Sequence, residues 1–146
     1  MNKIYLTFSI LLLASSLLVY GCSSKPAVTA QKSTTWTWQP TPGGVIPGAQ
    51  WAFFPSGGAN VEAGHTLNLS WSANSNMDCY IFTQTQYNGF MQSGTPNTWV
   101  AHGTNSQGTI STTLLQNSDT YYAVLINATT DFGVEVKLFQ ATLTEQ

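Results

Sequence analysis

The sequence predicts an all-β fold: a single antiparallel β-sandwich of the jelly-roll kind, with seven or eight strands. Three observations predict it. Apolar and polar residues alternate with a period of two through much of the chain after Trp36, the spacing that turns one strand face to a core and the other to water. Clusters of Gly, Pro, Asn and Ser recur between those runs, as the turns joining short strands require. No amphipathic helical pattern longer than two turns is visible, and about 110 residues of such strands fill a two-layer sandwich.

Taken in order, "TWTWQPTPGGVIPGAQWAFFP" (35–55) contains Pro40, Pro42, Pro47 and Pro55. Its strand pieces must therefore be edges or interrupted, because proline cannot donate to a central ladder. "HTLNLSWSA" (65–73) is the clearest strand, with Leu67, Leu69 and Trp71 on one side and Thr66, Asn68 and Ser70 on the other. "NSNMD" (74–78) reads as the turn after it. "DCYIFTQ" (78–84) is then the next strand, setting Cys79 and Ile81 against Tyr80 and Phe82. "TWVAHG" (98–103) and "GTISTTLLQ" (108–116) are two weaker strands. "TYYAVLIN" (120–127) is apolar on both faces and belongs in the middle of a sheet. "GVEVKLFQATL" (133–143) alternates Val134, Val136 and Leu138 against Glu135 and Lys137. Its later apolar residues, Phe139, Ala141 and Leu143, change face, the mark of a bulge.

The N-terminus reads as an address. Met1-Asn2-Lys3 is a short positive segment, and Ile4 to Tyr20 is an apolar run of about 17 residues interrupted by Thr7, Ser9, Ser15 and Ser16, the length of a secretory signal's hydrophobic core. Gly21 then precedes Cys22, and "VYGC" (19–22) resembles the bacterial lipobox, with Val for the commoner Leu and an unusual Tyr. The resemblance implies cleavage before Cys22 and a diacylglyceryl thioether on its sulfur, two acyl chains being enough for stable anchoring. Ser23, where aspartate would retain a Gram-negative lipoprotein at the inner membrane, implies the outer membrane in such a host. In a single-membrane host the protein would face outward from the plasma membrane. The expected organisation is a signal peptide over 1–21, a flexible tether over 22–35 and the sandwich over 36–146. "SSKPAVTAQKSTT" (23–35) lacks periodicity, and a coil of that length spans ~20 Å. With two cysteines in the chain, Cys22 and Cys79, the rival readings are an uncleaved anchor helix, an ordinary signal peptide, or a Cys22–Cys79 disulfide.

Charge is sparse. The chain has no arginine, four lysines (Lys3, Lys25, Lys32, Lys137) and six acids (Glu62, Asp78, Asp119, Asp131, Glu135, Glu145), so Ser, Thr, Asn and Gln must keep it soluble. Nucleic acid is rejected as a partner, because no basic cluster exists to displace counterions from phosphates.

Residues 61–143 carry a further resemblance. "VEAGHTLNLSWSANSNMDCYIFTQTQYNGF" and "GTISTTLLQNSDTYYAVLINATTDFGVEVKLFQATL" are similar to extracytoplasmic β-sandwich domains of the GOLD-like and pre-peptidase C-terminal-like type. The likeness rests on the Val61-x-Ala63-Gly64 turn, the "LNLSW" and "DCYIF" strands, the set Gly108, Leu114, Tyr121, Tyr122, Val124, Ile126, Asn127, and the closing "VEVKL". It implies a non-catalytic adhesive or interaction module.

Catalytic and metal constellations fit poorly. His65, Cys79, Met91 and His102 are the residue types of a blue-copper centre, but that site needs Cys, His and Met in that order within one loop, and Met91 precedes His102. Cys79 in an alternating strand reads as a buried thiol rather than a nucleophile. No "GxSxG" elbow is present. No two acids share a context that points to glycoside cleavage. "NSNMD" lacks the bidentate glutamate of a calcium loop. The expectation is therefore no enzyme, no cofactor and no metal. "NLS" (68–70) and "NAT" (127–129) match the N-glycosylation pattern but carry no information in an exported bacterial chain. The expected partner is an envelope protein, with a carbohydrate as the alternative. Trp36, Trp38, Trp99, Tyr87 and Asn88 are the candidate contacts, since sugars stack on indole and phenol faces and hydrogen-bond to amides. Trp71 points with Leu67 and Leu69 and belongs to the core.

Overall fold

The computed structural model describes residues 33–38, 45–128 and 136–146, of which 136–140 as backbone only. Cys22, the signal segment and nearly all of the tether lie outside the described residues. The strands are β1 (Thr34–Trp38), β2 (Val45–Ile46), β3 (Trp51–Val61), β4 (Leu67–Thr83), β5 (Ala101–Ser111), β6 (Asp119–Ile126) and β7 (Val136–Glu145); one helix, α1 (Gln84–Ser93), follows β4. All the pairings are antiparallel, and the fold is the all-β, sandwich-like class expected.

The organising element is β4. Along one edge it pairs with β5 over nearly its whole length, from Asn68 to Ile81. Its other edge is shared: Leu67–Ala73 pair with β7, and Asp78–Thr83 pair with β6. One strand thus serves two layers, β1-β7-β4-β5 and β3-β6-β4-β5, and the sheet turns its corner along the strand itself. Strands that switch layers do so at bulges, and this one has its irregularity between Ser72 and Met77. "NSNMD" is therefore no hairpin turn. Its Asn and Ser residues loosen the ladder so that a single 17-residue strand can bend. The two weak strands expected around His102 and Ile110 are likewise one, β5, running beside it.

The edge, central-strand and bulge readings hold, while the alternation of Val134, Val136 and Leu138 against Glu135 and Lys137 falls outside the described side chains. β1 and β3 are the two ends of the strand order, as the proline-rich stretch that supplies them and the Pro55 within β3 demand, and β6 lies between β3 and β4. The register of β7 against β4 passes from Gln140 opposite Ser72 to Leu138 opposite Ala73, skipping Phe139; this is the bulge read from the change of face.

The layers enclose one core. Leu67, Leu69, Trp71, Met77, Cys79 and Ile81 of β4 meet Tyr121, Ala123 and Leu125 of β6, Ala141 and Leu143 of β7, and Phe54, Ala59 and Val61 of β3. Each fully buried aliphatic side chain here contributes about 1.5–3 kcal/mol. Among the described residues, the outer face of the first layer is hydroxyl-rich and uncharged. Thr35 meets Thr144 at 3.3 Å, Ser70 meets Thr109 at 3.1 Å, and Ser111 donates to Asn68. Such cross-strand pairs contribute a few tenths of a kcal/mol each, and they show how so few charges suffice for solubility.

The second layer is apolar on its outer face too, because α1 covers it. Tyr80, Phe82, Tyr122 and Val124 form a second cluster with Tyr87 and Phe90 of the helix. The helix corrects the all-strand expectation, and its cause is local. Thr83 caps it, accepting from Gln86 N at 3.3 Å while Gln86 Oε1 accepts from Thr83 N at 3.0 Å, a reciprocal capping box. Gly94, at φ 68°, ends it by donating to Phe90 O at 2.7 Å, a left-handed cap that glycine adopts without strain. With only Tyr87 and Phe90 buried, a ten-residue helix shows too little periodicity to announce itself.

Candidate functional site

The strand register lines up the outer face of the second layer in rows. Trp51, Ile126, Asp78 and Thr104 are successive partners across β3, β6, β4 and β5; Phe53, Val124, Tyr80 and His102 form the next row. Three strand spacings make each row ~14 Å long.

The helix forms one wall of this face. Tyr87 stacks on Tyr122 with ring centres 4.1 Å apart, and Phe90 lies on Phe82 at 5.6 Å. Against that wall, Trp51 meets Phe90 edge-on at 5.3 Å and Phe53 tilts onto Tyr87 at 5.2 Å. At the far side the Tyr80 ring stacks on His102 at 4.3 Å and meets Trp99 edge-on at 5.6 Å. Each such contact adds about 0.5–1.5 kcal/mol beyond burial, so these rings are held in place. Three of them remain open to solvent: Trp51 and Phe53 at 37% each and Trp99 at 45%.

A polar group stands between the aromatics. Thr104 Oγ1 donates to Asp78 Oδ1 and lies 3.3 Å from His102 Nε2, which in turn is 3.7 Å from Asp78 Oδ1. The set contains a hydroxyl, an imidazole and a carboxylate, but not as a catalytic relay. A relay needs the carboxylate on one ring nitrogen and the hydroxyl on the other. Here both address Nε2, and the Thr104 proton is given to the carboxylate. Next to them Cys79 points into the core. Burial, and secondarily the Asp78 charge, push its thiol far above the ordinary value of 9.0, whereas a nucleophile or metal ligand needs the thiolate. Among the described residues no three of His, Cys, Asp and Glu come together as a metal-binding group, and no helix is long and apolar enough to cross a membrane.

The residues singled out in the sequence fall in two places. Trp36 and Trp38 are half-buried on β1 and pack against the core. With Phe53, Phe54, Pro55 and Ser56 they line a groove of about 610 Å³ where the two ends of the sheet approach each other. Trp99 is on the outer face of the second layer. Tyr87 faces that layer too, but is 9% exposed beneath the helix. Asn88 is exposed on α1 and accepts from Gln84 Nε2 at 2.9 Å. His65 is remote from His102's cluster, 3.7 Å from the buried Glu145. Met91 is exposed on α1 and Cys79 is in the core, so the four blue-copper residue types are dispersed. Asn127 is fully buried, with Nδ2 donating to Ile46 O at 2.9 Å.

Sequence reasoning missed Asp78, His102 and Thr104, and with them Trp51 and Phe53. Their signal is faint: Asp78-x-Tyr80 and His102-x-Thr104 each put two residues on one strand face, and only the register makes those faces adjacent. No family model matches the chain, and no curated protein matches it.

Proposed function

We propose that the protein is a non-catalytic binding module of the bacterial cell envelope, carried on a diacylglyceryl anchor at Cys22. Its contact surface is the outer aromatic face of the second layer. In a Gram-negative host Ser23 directs it to the outer membrane. One observation carries the reading: Trp99, Trp51 and Phe53 are held open to solvent around Asp78, Thr104 and His102. Rigid aromatic anchors beside a few polar groups are what binding sites use for energy and specificity, and none of them is needed in the core. The missing relay and the protonated Cys79 support the non-catalytic part.

Two experiments test this. The full-length chain, carrying an affinity tag and expressed in its envelope, is recovered with its cross-linked neighbours from wild type and from Trp99→Ala. Loss of the specific partner in the variant supports the contact face; an unchanged partner set places the contact elsewhere. Mass spectrometry of the membrane fraction should find Cys22 at the N-terminus bearing a diacylglyceryl group, and globomycin should leave the larger precursor. An unmodified Cys22 would end the anchor proposal.

A further inference from the structure

We infer that the outer face of the second layer, between Trp51 and Trp99, binds a neutral polysaccharide, a chain of linked hexopyranoses, with Trp99 as the stacking platform and Asp78, His102 and Thr104 as the hydrogen-bonding set. The inference rests on the reading of this face as the contact surface and names the ligand class. A pyranose ring offers one apolar C–H face and a rim of hydroxyls. It needs an aromatic plane with donors and acceptors at the plane's edge, and the indole of Trp99 provides the plane, 5.4 Å from the His102 ring. Asp78 Oδ1 and His102 Nε2, 3.7 Å apart, with Thr104 Oγ1 3.3 Å from the imidazole, put an acceptor, a ring nitrogen and a hydroxyl within reach of neighbouring hydroxyls on one sugar.

Charge selects among glycans. No described side chain is a lysine or arginine, and Asp78 is the carboxylate of the row. An acidic polysaccharide, a phosphate or a nucleic acid would meet the Asp78 charge with no lysine or arginine among the described side chains to offset it. Length selects again. The row from Trp51 to Thr104 spans ~14 Å, with Trp99 beside His102 of the neighbouring row, an extent that suits several linked sugars and leaves a monosaccharide with fewer contacts. The stacked rings hold the platform before binding, so little side-chain freedom is lost.

The test uses the full-length chain in a polyoxyethylene detergent, which carries no sugar. Cellohexaose, chitohexaose, mannohexaose and their disaccharides are titrated against tryptophan fluorescence and calorimetry, with polygalacturonate and polylysine alongside. Binding of a neutral hexasaccharide, at least tenfold tighter than its disaccharide and unchanged between low and high salt, is the expected result. Trp99→Ala and Asp78→Asn should each weaken it at least tenfold while the melting temperature stays within a few degrees. Asparagine can still accept from Thr104, so that variant removes the charge and keeps the fold. The inference is overturned if no neutral hexasaccharide binds, if both variants bind as wild type does, or if polygalacturonate or polylysine binds more tightly. Its failure is separable from that of the contact face. A protein partner still lost in Trp99→Ala, with every sugar inert, removes the glycan and keeps the face; a partner set indifferent to Trp99, with every sugar inert as well, removes both.

Discussion

At the residue scale the Trp71 side chain is closely constrained. Its indole lies across β5, donates to Asn105 O at 3.0 Å, and occupies the space left by two glycines. A Cβ on Gly103 would come within 2.7 Å of Ile110 Cγ2 and 3.2 Å of the indole; on Gly108 it would meet the indole at 3.0 Å. Gly103→Ala should therefore destabilise by about 1–3 kcal/mol through overpacking, with Gly108→Ala milder. Urea midpoints compare the two, and a neutral Gly103→Ala would mean that the indole has room to move. Cys79 yields a second prediction at this scale. Fully buried and held protonated, it should resist iodoacetamide at pH 8 in the folded chain and react once denaturant is added. Labelling at equal rates in both states would contradict the core placement.

At the element scale, β4 and α1 work as a pair: the strand exposes an apolar outer face that only the helix makes tolerable. Thr83 is the joint, being both the last strand residue and the helix cap. Thr83→Ala removes one half of the capping box and should cost about 1 kcal/mol. Because Tyr87 and Phe90 cover Tyr122 and Phe82, the loss should appear as faster amide exchange in α1 and β6 before the first layer responds. Uniform acceleration over both layers would show that the helix unfolds only with the whole domain. The strands were legible where a period of two ran unbroken, as in Leu67–Trp71, or where a short run was apolar on both faces, as in Tyr121–Ile126. The corner in β4 was not, because Asn and Ser relax a ladder and make a turn with the same chemistry. The helix was half-legible: Thr83-x-x-Gln86 ahead of Tyr87 and Phe90, with Gly94 behind, is a capping signature hidden by the shortness of its apolar face. Of the candidate site, Trp99 could be picked from the chain. Asp78, His102 and Thr104 could not, since Asp78 and His102 are 24 positions apart in sequence and only pairing to β5 joins them.

At the scale of the whole molecule, the buried acids of weak strength set the pH range of the fold. Burial, with the Asp78 charge second, raises Cys79 above 9.0; burial first also raises Tyr80, Tyr87 and Tyr121 above 10.0, helped by Asp78, Tyr122 and Asp119 respectively. Well below pH 9 these groups are protonated in both folded and unfolded chains, and stability does not depend on them. Above the unfolded values the unfolded chain releases protons that the folded chain keeps, so it binds fewer protons and stability falls as pH rises. One such group contributes a slope of at most about 1.4 kcal/mol per pH unit within its window. The urea midpoint should thus be level from neutral pH to about 8.5, bend downward near 9 as Cys79 enters, and steepen past 10 with the tyrosines. With four lysines and no arginine in the chain, loss of cationic partners adds little to that curve. Cys79→Ala should move the first bend from about 9 to about 10 and leave the steeper limb in place. A midpoint that stays level to pH 11, or a variant with an unmoved first bend, would show that the inner and outer clusters on β4 are open to water.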